Sequence, residues 1–322
     1  MAAVREFRSR RSCLSVPASN ARAVAKAPSL PVDEVMLDLE DSVAEGAKAA
    51  AREAAVAALL GDGWGGRTRA VRVNGWQTPH THRDVVAAVE GAGAALDCVV
   101  LPKCDSRDHV AALDLLLTQL ERGAGLPVGR IGIEAQIESA AGLAAADAIA
   151  AGPRVEALVY GPGDMAASLG MRTVEIGAQP VGYPGADAYH YVLMRILVAA
   201  RAAGVQAVDG PYVRIADVDG FRRDKARTAA LGYDGAWVLH PAQVRAANEA
   251  FTPSPEEYAR AEAVLAAYAA AASEPGGGRG AVLVDGQMID EASRQVALAV
   301  VSKGRAARLA SAPGAGGGDG RP

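Results

Sequence analysis

Cysteine is scarce: Cys13, Cys98 and Cys104 are the only three in 322 residues. An odd number without the paired spacing of metal ligands points to neither a disulfide framework nor a zinc site. Cys13 and Cys98 fall inside apolar, strand-like runs, which predicts buried, reduced thiols acting as small hydrophobes. Long apolar runs are missing as well. No stretch approaches the ~20 residues that span a bilayer, and Arg5, Arg8, Arg10 and Arg11 precede no apolar segment of signal-peptide length. A cytoplasmic protein with no membrane partner is expected. Basic stripes are absent too. A net charge of −4, a pI near 5.8 and no aromatic-interleaved cationic patch speak against nucleic acid as a partner.

What is present is a chain half hydrophobic and 22% charged, long enough to bury a full core as one α/β barrel. Short β-like runs alternate with longer Ala-rich helical stretches, the pattern of βα units on a parallel sheet. The strand candidates are 12–16, 34–37, 69–73, 98–101, 132–136, 157–160, 206–208 and 235–239. Helices are predicted between them, at 47–60, 107–119, 142–150, 188–203 and 218–230. Eight units close into a (β/α)8 TIM barrel, whose chemistry sits at the C-terminal ends of the strands; an open doubly wound sheet is the alternative.

The pattern changes after the eighth unit. Pro253-Ser-Pro255 opens a helix to about residue 272, and Glu274-Pro-Gly-Gly-Gly-Arg-Gly280 reads as a hinge or lid tether. The expected division is a barrel over residues 1–250, a C-terminal extension or lid over 251–305, and a Gly/Ala/Pro-rich disordered tail over 306–322.

Polar residues mark nearly every strand end: Asp38, Glu40 and Asp41 after the second strand, Arg72 and Asn74 at the third, Lys103 at the fourth. Glu134, Gln136 and Glu138 follow at the fifth, then Asp164, Asp209 and His240. Any one of the short polar residues can be a helix N-cap. Arg72 and Lys103 are harder to explain that way, because a long cation among apolar residues is costly to bury without an anionic partner. Glu138 and Asp164 each sit just past an apolar run, at adjacent strand ends. Mg²⁺ takes one or two protein carboxylates and leaves its other octahedral positions to water and substrate oxygens, and Mn²⁺ also suits an all-oxygen site. The set therefore reads as a ring of charge around a divalent metal.

A series of ordered motifs carries a family resemblance. These are Arg11-Ser-Cys-Leu-Ser-Val-Pro-Ala-Ser-Asn20, Leu37-Asp-Leu-Glu-Asp-Ser42, Val71-Arg-Val-Asn74, Leu101-Pro-Lys103, Ile137-Glu-Ser139, Gly161-Pro-Gly-Asp164, Leu239-His-Pro-Ala-Gln243 and Met288-Ile-Asp290. Together they resemble the citrate lyase β-subunit-like CoA ester lyases of the aldolase/citrate lyase superfamily, and within that group the malyl-CoA/β-methylmalyl-CoA lyases.

The resemblance implies a reversible Claisen reaction between an acyl-CoA and a 2-oxo acid such as glyoxylate. It assigns Mg²⁺ to Glu138 and Asp164, the substrate carboxylate to backbone around Gly163, Asp164 and Met165, and the enolate oxygen to Arg72. Glu40 and Asp41 become outer partners that orient metal-bound water. Asp290 becomes the base, delivered across a subunit boundary of a trimer or hexamer; the alternative is that it only caps a helix over 291–301. Arg22 and Lys26, one turn apart on one helix face, are read as contacts to the CoA phosphates or as a solvated face. Lys103 is left between CoA and the acidic cluster. Rival readings are a citramalyl-CoA lyase, a malyl-CoA thioesterase, a metal-dependent 2-oxo acid aldolase and a non-catalytic barrel. The aldolases of the superfamily lack the Met-Ile-Asp extension.

Overall fold

The computed structural model describes residues 8–273, 280–284 and 286–311, and they divide into two compact units, Met1–Phe251 and Thr252–Pro322. The first is a closed barrel of parallel strands in sequential order: β1 Ser12–Pro17, β2 Glu34–Asp38, β3 Thr68–Arg72, β4 Cys98–Leu101, β5 Gly132–Ile137, β6 Val155–Tyr160, β7 Gln206–Asp209 and β8 Gly235–Val238. β1 pairs with β8, through Cys13 and Trp237 among others, to complete the circle. The helices are α1 Ala21–Lys26, α2 Lys48–Leu59, α3 Thr81–Ala92, α4 Arg107–Gly123, α5 Ala140–Ala144, α6 Ala146–Ala150, α7 Pro162–Ser168, α8 His190–Ala203, α9 Val218–Leu231 and α10 Pro241–Ala250. The barrel, not the open sheet, is the fold.

Alternation along the strands decides what faces the barrel interior. Cys13, Met36, Ala70, Cys98, Val100, Ala157, Val159, Val208 and Trp237 form the inner cluster. The opposite parity packs outward against the helices. Val35, Leu37, Val71, Val99, Leu101, Ile133, Leu158 and Ala207 belong to this larger outer layer. The helices meet it with apolar stripes: Ala51, Ala55 and Leu59 on α2, and Val110, Leu113 and Leu117 on α4, spaced as a core-facing helix requires. Leu117 is fully buried, so Leu117→Ala is expected to destabilise the barrel by about 2–5 kcal/mol in chemical denaturation. The single helix anticipated over 142–150 is instead two short ones, α5 and α6, meeting at Ala145. All three cysteines are free and buried, as the composition indicated.

The N-terminal end of the barrel is filled with charge. Arg10, 2% exposed, reaches Glu134 at 2.8 Å, Glu156 at 2.8 Å and Glu34 at 3.2 Å, and also bonds Gln206. Burial pushes the Glu34 carboxyl well up, as does neighbouring Glu134, with Arg10 opposing. Glu156 is held down to about 2: burial works against ionisation, and Arg10 and Arg8 outweigh it.

The second unit packs α11 Pro255–Ala272 against α12 Glu291–Ser311, with β9 Val282–Val284 and β10 Gln287–Ile289 pairing antiparallel between them in sequence. Ser254 and Glu257 close a reciprocal capping box at the start of α11. Tyr258 packs with Ala261, Ala297 and Val301. A Cβ at Gly304 would fall 2.3 Å from the Tyr258 ring, so the small residue sets how closely the helices meet. The hinge expected at 274–280 lies, except for Gly280, outside the described residues, as does 312–322 of the expected tail; residues 306–311 continue α12.

Candidate active site

The C-terminal barrel mouth gathers Asp38, Glu40, Asp41, Arg72, Lys103, Gln136 and Glu138, with Asp164 beside them in charge. Strand parity explains the inner members. Met36 and Ala70 face inward, so two residues on, Asp38 and Arg72 do too, and they are direct register partners of β2 and β3. Arg72 binds Asp38 through two parallel bonds, Nε to Oδ1 and Nη2 to Oδ2, both 2.7 Å. A third guanidinium nitrogen, Nη1, lies 2.9 Å from Glu40 Oε2. The guanidinium also stacks 5.1 Å over the Trp237 ring. Burial opposes charge on Arg72, yet Asp38 and Glu40 hold its pKa above the usual value. Burial likewise raises Asp38, and the Arg72 bonds override it to keep that carboxyl low. Asp38 was expected only as one of several strand-end acids; its place opposite Arg72 depends on register, which single-strand periodicity does not give.

The loop after β2 is held from below. Lys48 Nζ donates to the carbonyls of Leu39 at 3.0 Å and Glu40 at 2.9 Å, and Ser42 Oγ donates to Asp38. Lys48 is buried on an Ala-rich helix, a placement that lysine's usual exposure conceals in the sequence. Across the loop, Lys103 Nζ pairs with Glu40 and, at 3.2 Å, with Asp41, whose side chain is 65% exposed. The ammonium thus joins the acidic cluster. Burial pushes the Glu40 carboxyl up against the pull of Arg72 and Lys103.

Glu138 is 2% exposed. Its oxygens accept from neutral N–H groups: the Lys103 backbone at 2.6 Å and the Gln136 side chain. Its pKa is pushed up to about 8, first by burial and then by the charges of Glu40 and Asp164, with the Lys103 N–H opposing. Gly161 makes room for it, since a Cβ there would lie 2.5 Å from Glu138. A buried carboxylate that takes only neutral donors and feels two further carboxylates is an arrangement that a divalent cation relieves. The donors are oxygens, and their number suits Mg²⁺ better than a metal requiring a full protein cage. Asp164 stands in the first turn of α7. Gly163 and Asp164 carry first-turn N–H groups that lack helical partners, whereas Met165 N–H donates to the Gly161 carbonyl at 3.2 Å and is already engaged.

Several strand-end residues serve elsewhere. Glu134 is near the start of β5, two positions below Gln136 on the inner face, and belongs to the Arg10 network. Asp209 follows inward-facing Val208, so it turns outward, to Lys225 at 2.7 Å and Thr228 at 2.9 Å. His240 Nδ1 caps α10 at Ala242 N–H, and Asn74 is held to Asp84 at 2.6 Å and to the Leu39 carbonyl at 3.0 Å. Arg22 and Lys26 lie exposed on α1, just beyond the mouth end of β1. In the second unit Asp290 Oδ1 accepts from Ser293 N–H at 3.0 Å and Ser293 Oγ–H at 3.1 Å. Those bonds hold its carboxyl below the usual range, so the capping geometry is real.

No helix among the described residues is long and apolar enough to cross a membrane. The chain is 40% identical over 294 residues to the L-malyl-CoA/β-methylmalyl-CoA lyase of Cereibacter sphaeroides, covering 88% of this chain and 91% of that protein. It is 35% identical over 280 residues to a (3S)-malyl-CoA thioesterase of the same species, covering 87% and 89%. Among solved structures it resembles protein CitE of Mycobacterium tuberculosis in complex with magnesium, acetoacetate and coenzyme A. That likeness has a TM-score of 0.70 and 30% identity over 92% of this chain and 98% of CitE. Residues 11–241, from the start of β1 to the head of α10, match the HpcH/HpaI aldolase/citrate lyase family, and the chain belongs to that family.

Proposed function

We propose that the protein is a Mg²⁺-dependent CoA ester lyase that cleaves a 3-hydroxyacyl-CoA, such as L-malyl-CoA or β-methylmalyl-CoA, to glyoxylate and acetyl- or propionyl-CoA, and runs the condensation in reverse. The observation that carries this reading is buried Glu138, bonded only by neutral donors and facing the Asp164 charge, in the same mouth as a fixed arginine. Glu138 and Asp164 would hold the metal, which would supply Lewis acidity at the 2-oxo acid carbonyl. The L-malyl-CoA/β-methylmalyl-CoA lyase relative and the magnesium and coenzyme A in the CitE structure support the assignment.

Cleavage passes the proton of the 3-hydroxyl to solvent, breaks the C2–C3 bond of the acyl chain and leaves the acyl-CoA enolate, whose carbon takes a proton from Asp290 acting as the acid, the reverse of its role in condensation. Arg72 has five N–H donors, of which two donate to Asp38, while Nη1 lies 2.9 Å from Glu40 as an ion pair. The remaining ones offset the enolate oxygen charge from a position fixed in advance. The first-turn amides of Gly163 and Asp164 receive the substrate carboxylate, while Met165, its N–H spent in the helix, packs beneath. Glu40 and Asp41 would orient water around the metal from its outer sphere. Asp290, ionised at neutral pH, is the base for the α-proton in the condensation direction, delivered by a neighbouring subunit of a homo-oligomer. Arg22 and Lys26 meet the CoA phosphates. Alanine at both is expected to raise the KM for acyl-CoA about tenfold with kcat unchanged, as for lost uniform binding.

The test is incubation with L-malyl-CoA and Mg²⁺, following glyoxylate and free CoA separately, beside Asp290→Asn. The wild type should form glyoxylate and acetyl-CoA, and the variant should lose at least about 10²-fold in turnover. Mixing Asp290→Asn with Arg72→Ala protomers should restore activity if the base crosses subunits, and failure to restore it removes that part of the proposal. Free CoA without glyoxylate would move the assignment to a thioesterase, the activity named for the 35%-identical relative.

A further inference from the structure

Lys103 has a backbone conformation that its side chain alone does not justify. Its φ is +49°, and among the described residues Arg154 is the only other non-glycine residue with positive φ. L-residues avoid this left-handed region unless their surroundings impose it, and such strain gathers at functional sites. The turn has a visible consequence. It presents the Lys103 N–H to Glu138 Oε1 at 2.6 Å, while the following residue, Cys104, donates to the Gln136 carbonyl at 3.2 Å. The side chain leaves the other way, to Glu40 and to Asp41 at 3.2 Å. A Cβ at Gly75 would stand 3.6 Å from the Lys103 Cβ, so the residue is bounded on that flank as well. Glu138 therefore receives one bond from its own strand, through Gln136, and one from the β4 loop.

We infer that Lys103 is a positioning residue that acts through its main chain: the left-handed turn aims its amide at Glu138 Oε1 and fixes the metal-binding carboxylate. Its ammonium has the separate task of tying down Glu40 and Asp41. This rests on the Mg²⁺ reading above. It separates two properties of one residue, because conformation and charge can be substituted independently. Glycine adopts positive φ freely and asparagine does so more readily than most residues, whereas a β-branched residue resists it.

The experiment is calorimetric titration of Mg²⁺ alone into the full chain for the wild type and Lys103→Gly, Lys103→Asn, Lys103→Ala and Lys103→Val. Affinity should follow backbone preference instead of charge: Gly and Asn within about threefold of wild type, Ala weaker, and Val weaker by at least about tenfold with unchanged circular dichroism. If Lys103→Val does not fold, the order of Gly above Ala decides. Equal losses in all four variants would show that the ammonium matters and would overturn the inference, as would wild-type affinity in Ala and Val. A wild type that takes up no Mg²⁺ would instead defeat the metal assignment, and this inference with it.

Discussion

Glu138→Gln should abolish most of the lyase activity, by at least about 10²-fold in kcat/KM, and at the same time make the metal-free protein more stable. The amide keeps the shape and can still accept the Lys103 N–H, but it removes a carboxylate whose pKa is pushed up to about 8 by burial and by Glu40 and Asp164. In the unfolded chain the glutamate titrates near its ordinary value of about 4.3. Below that pH both states hold the proton and the wild-type contribution to stability is complete; it is lost as pH rises through about 8. The stability advantage of Glu138→Gln in EDTA should thus grow from pH 5 to about 8 and then level off, reaching on the order of a few kcal/mol. Denaturant unfolding at fixed pH reads this directly. A variant that is less stable than wild type throughout would mean that Glu138 is a structural acceptor, and would remove the trade between function and stability that the site geometry implies.

Arg10→Met is the second large effect. Removing one partner of a buried charge cluster costs about 3–5 kcal/mol, because the remaining charges stay buried without compensation. Here Glu34 and Glu134 lose their cation, while Glu156 keeps Arg8 at 2.6 Å. The loss should deepen with rising pH, since Glu34 is already raised by burial and by Glu134, with Arg10 as its chief opposing charge. A raised carboxyl contributes stability below its unfolded pKa and loses it as pH rises through the folded one. A matched replacement, Arg10→Met with Glu34→Gln and Glu134→Gln, should recover part of the stability, as apolar or neutral substitutes for buried ion clusters often do. Melting curves that are the same for Arg10→Met and wild type from pH 5 to 9 would show that the cluster is silent energetically.

Both effects lie in the barrel interior, and the strands that form it were legible because βα alternation and apolar runs are local signals. The ends came within one or two residues: β5 was read as 132–136 and is Gly132–Ile137. Glu138 and Asp164, the proposed metal ligands, stand out by the same logic, as acids just beyond a strand. The misplacements have a single cause. Polar residues were grouped by their proximity to a strand end, yet a residue's face is set by parity and its height by position along the strand. Asp209 is one residue past inward-facing Val208 and so turns to Lys225. Glu134 faces inward but lies too low, at Arg10. The bidentate Asp38–Arg72 pair depends on alignment between two strands, and Lys103's backbone turn has no sequence signature, because lysine is not a residue that favours positive φ. The break between α5 and α6 at Ala145 was equally hidden in an Ala-rich stretch where every residue favours a continuous helix.

The Arg10 cluster also constrains how the chain can be made. Arg10 bonds Glu34, 24 residues away, but its other partners lie 124, 146 and 196 residues ahead, at Glu134, Glu156 and Gln206. An N-terminal arginine emerging from a ribosome meets its first carboxylate early and the rest only when most of the barrel has been synthesised. Contacts of such separation are formed late and slowly. The cluster is therefore complete only once β7 is in place, so a partial chain that ends before Gln206 lacks one of this arginine's partners.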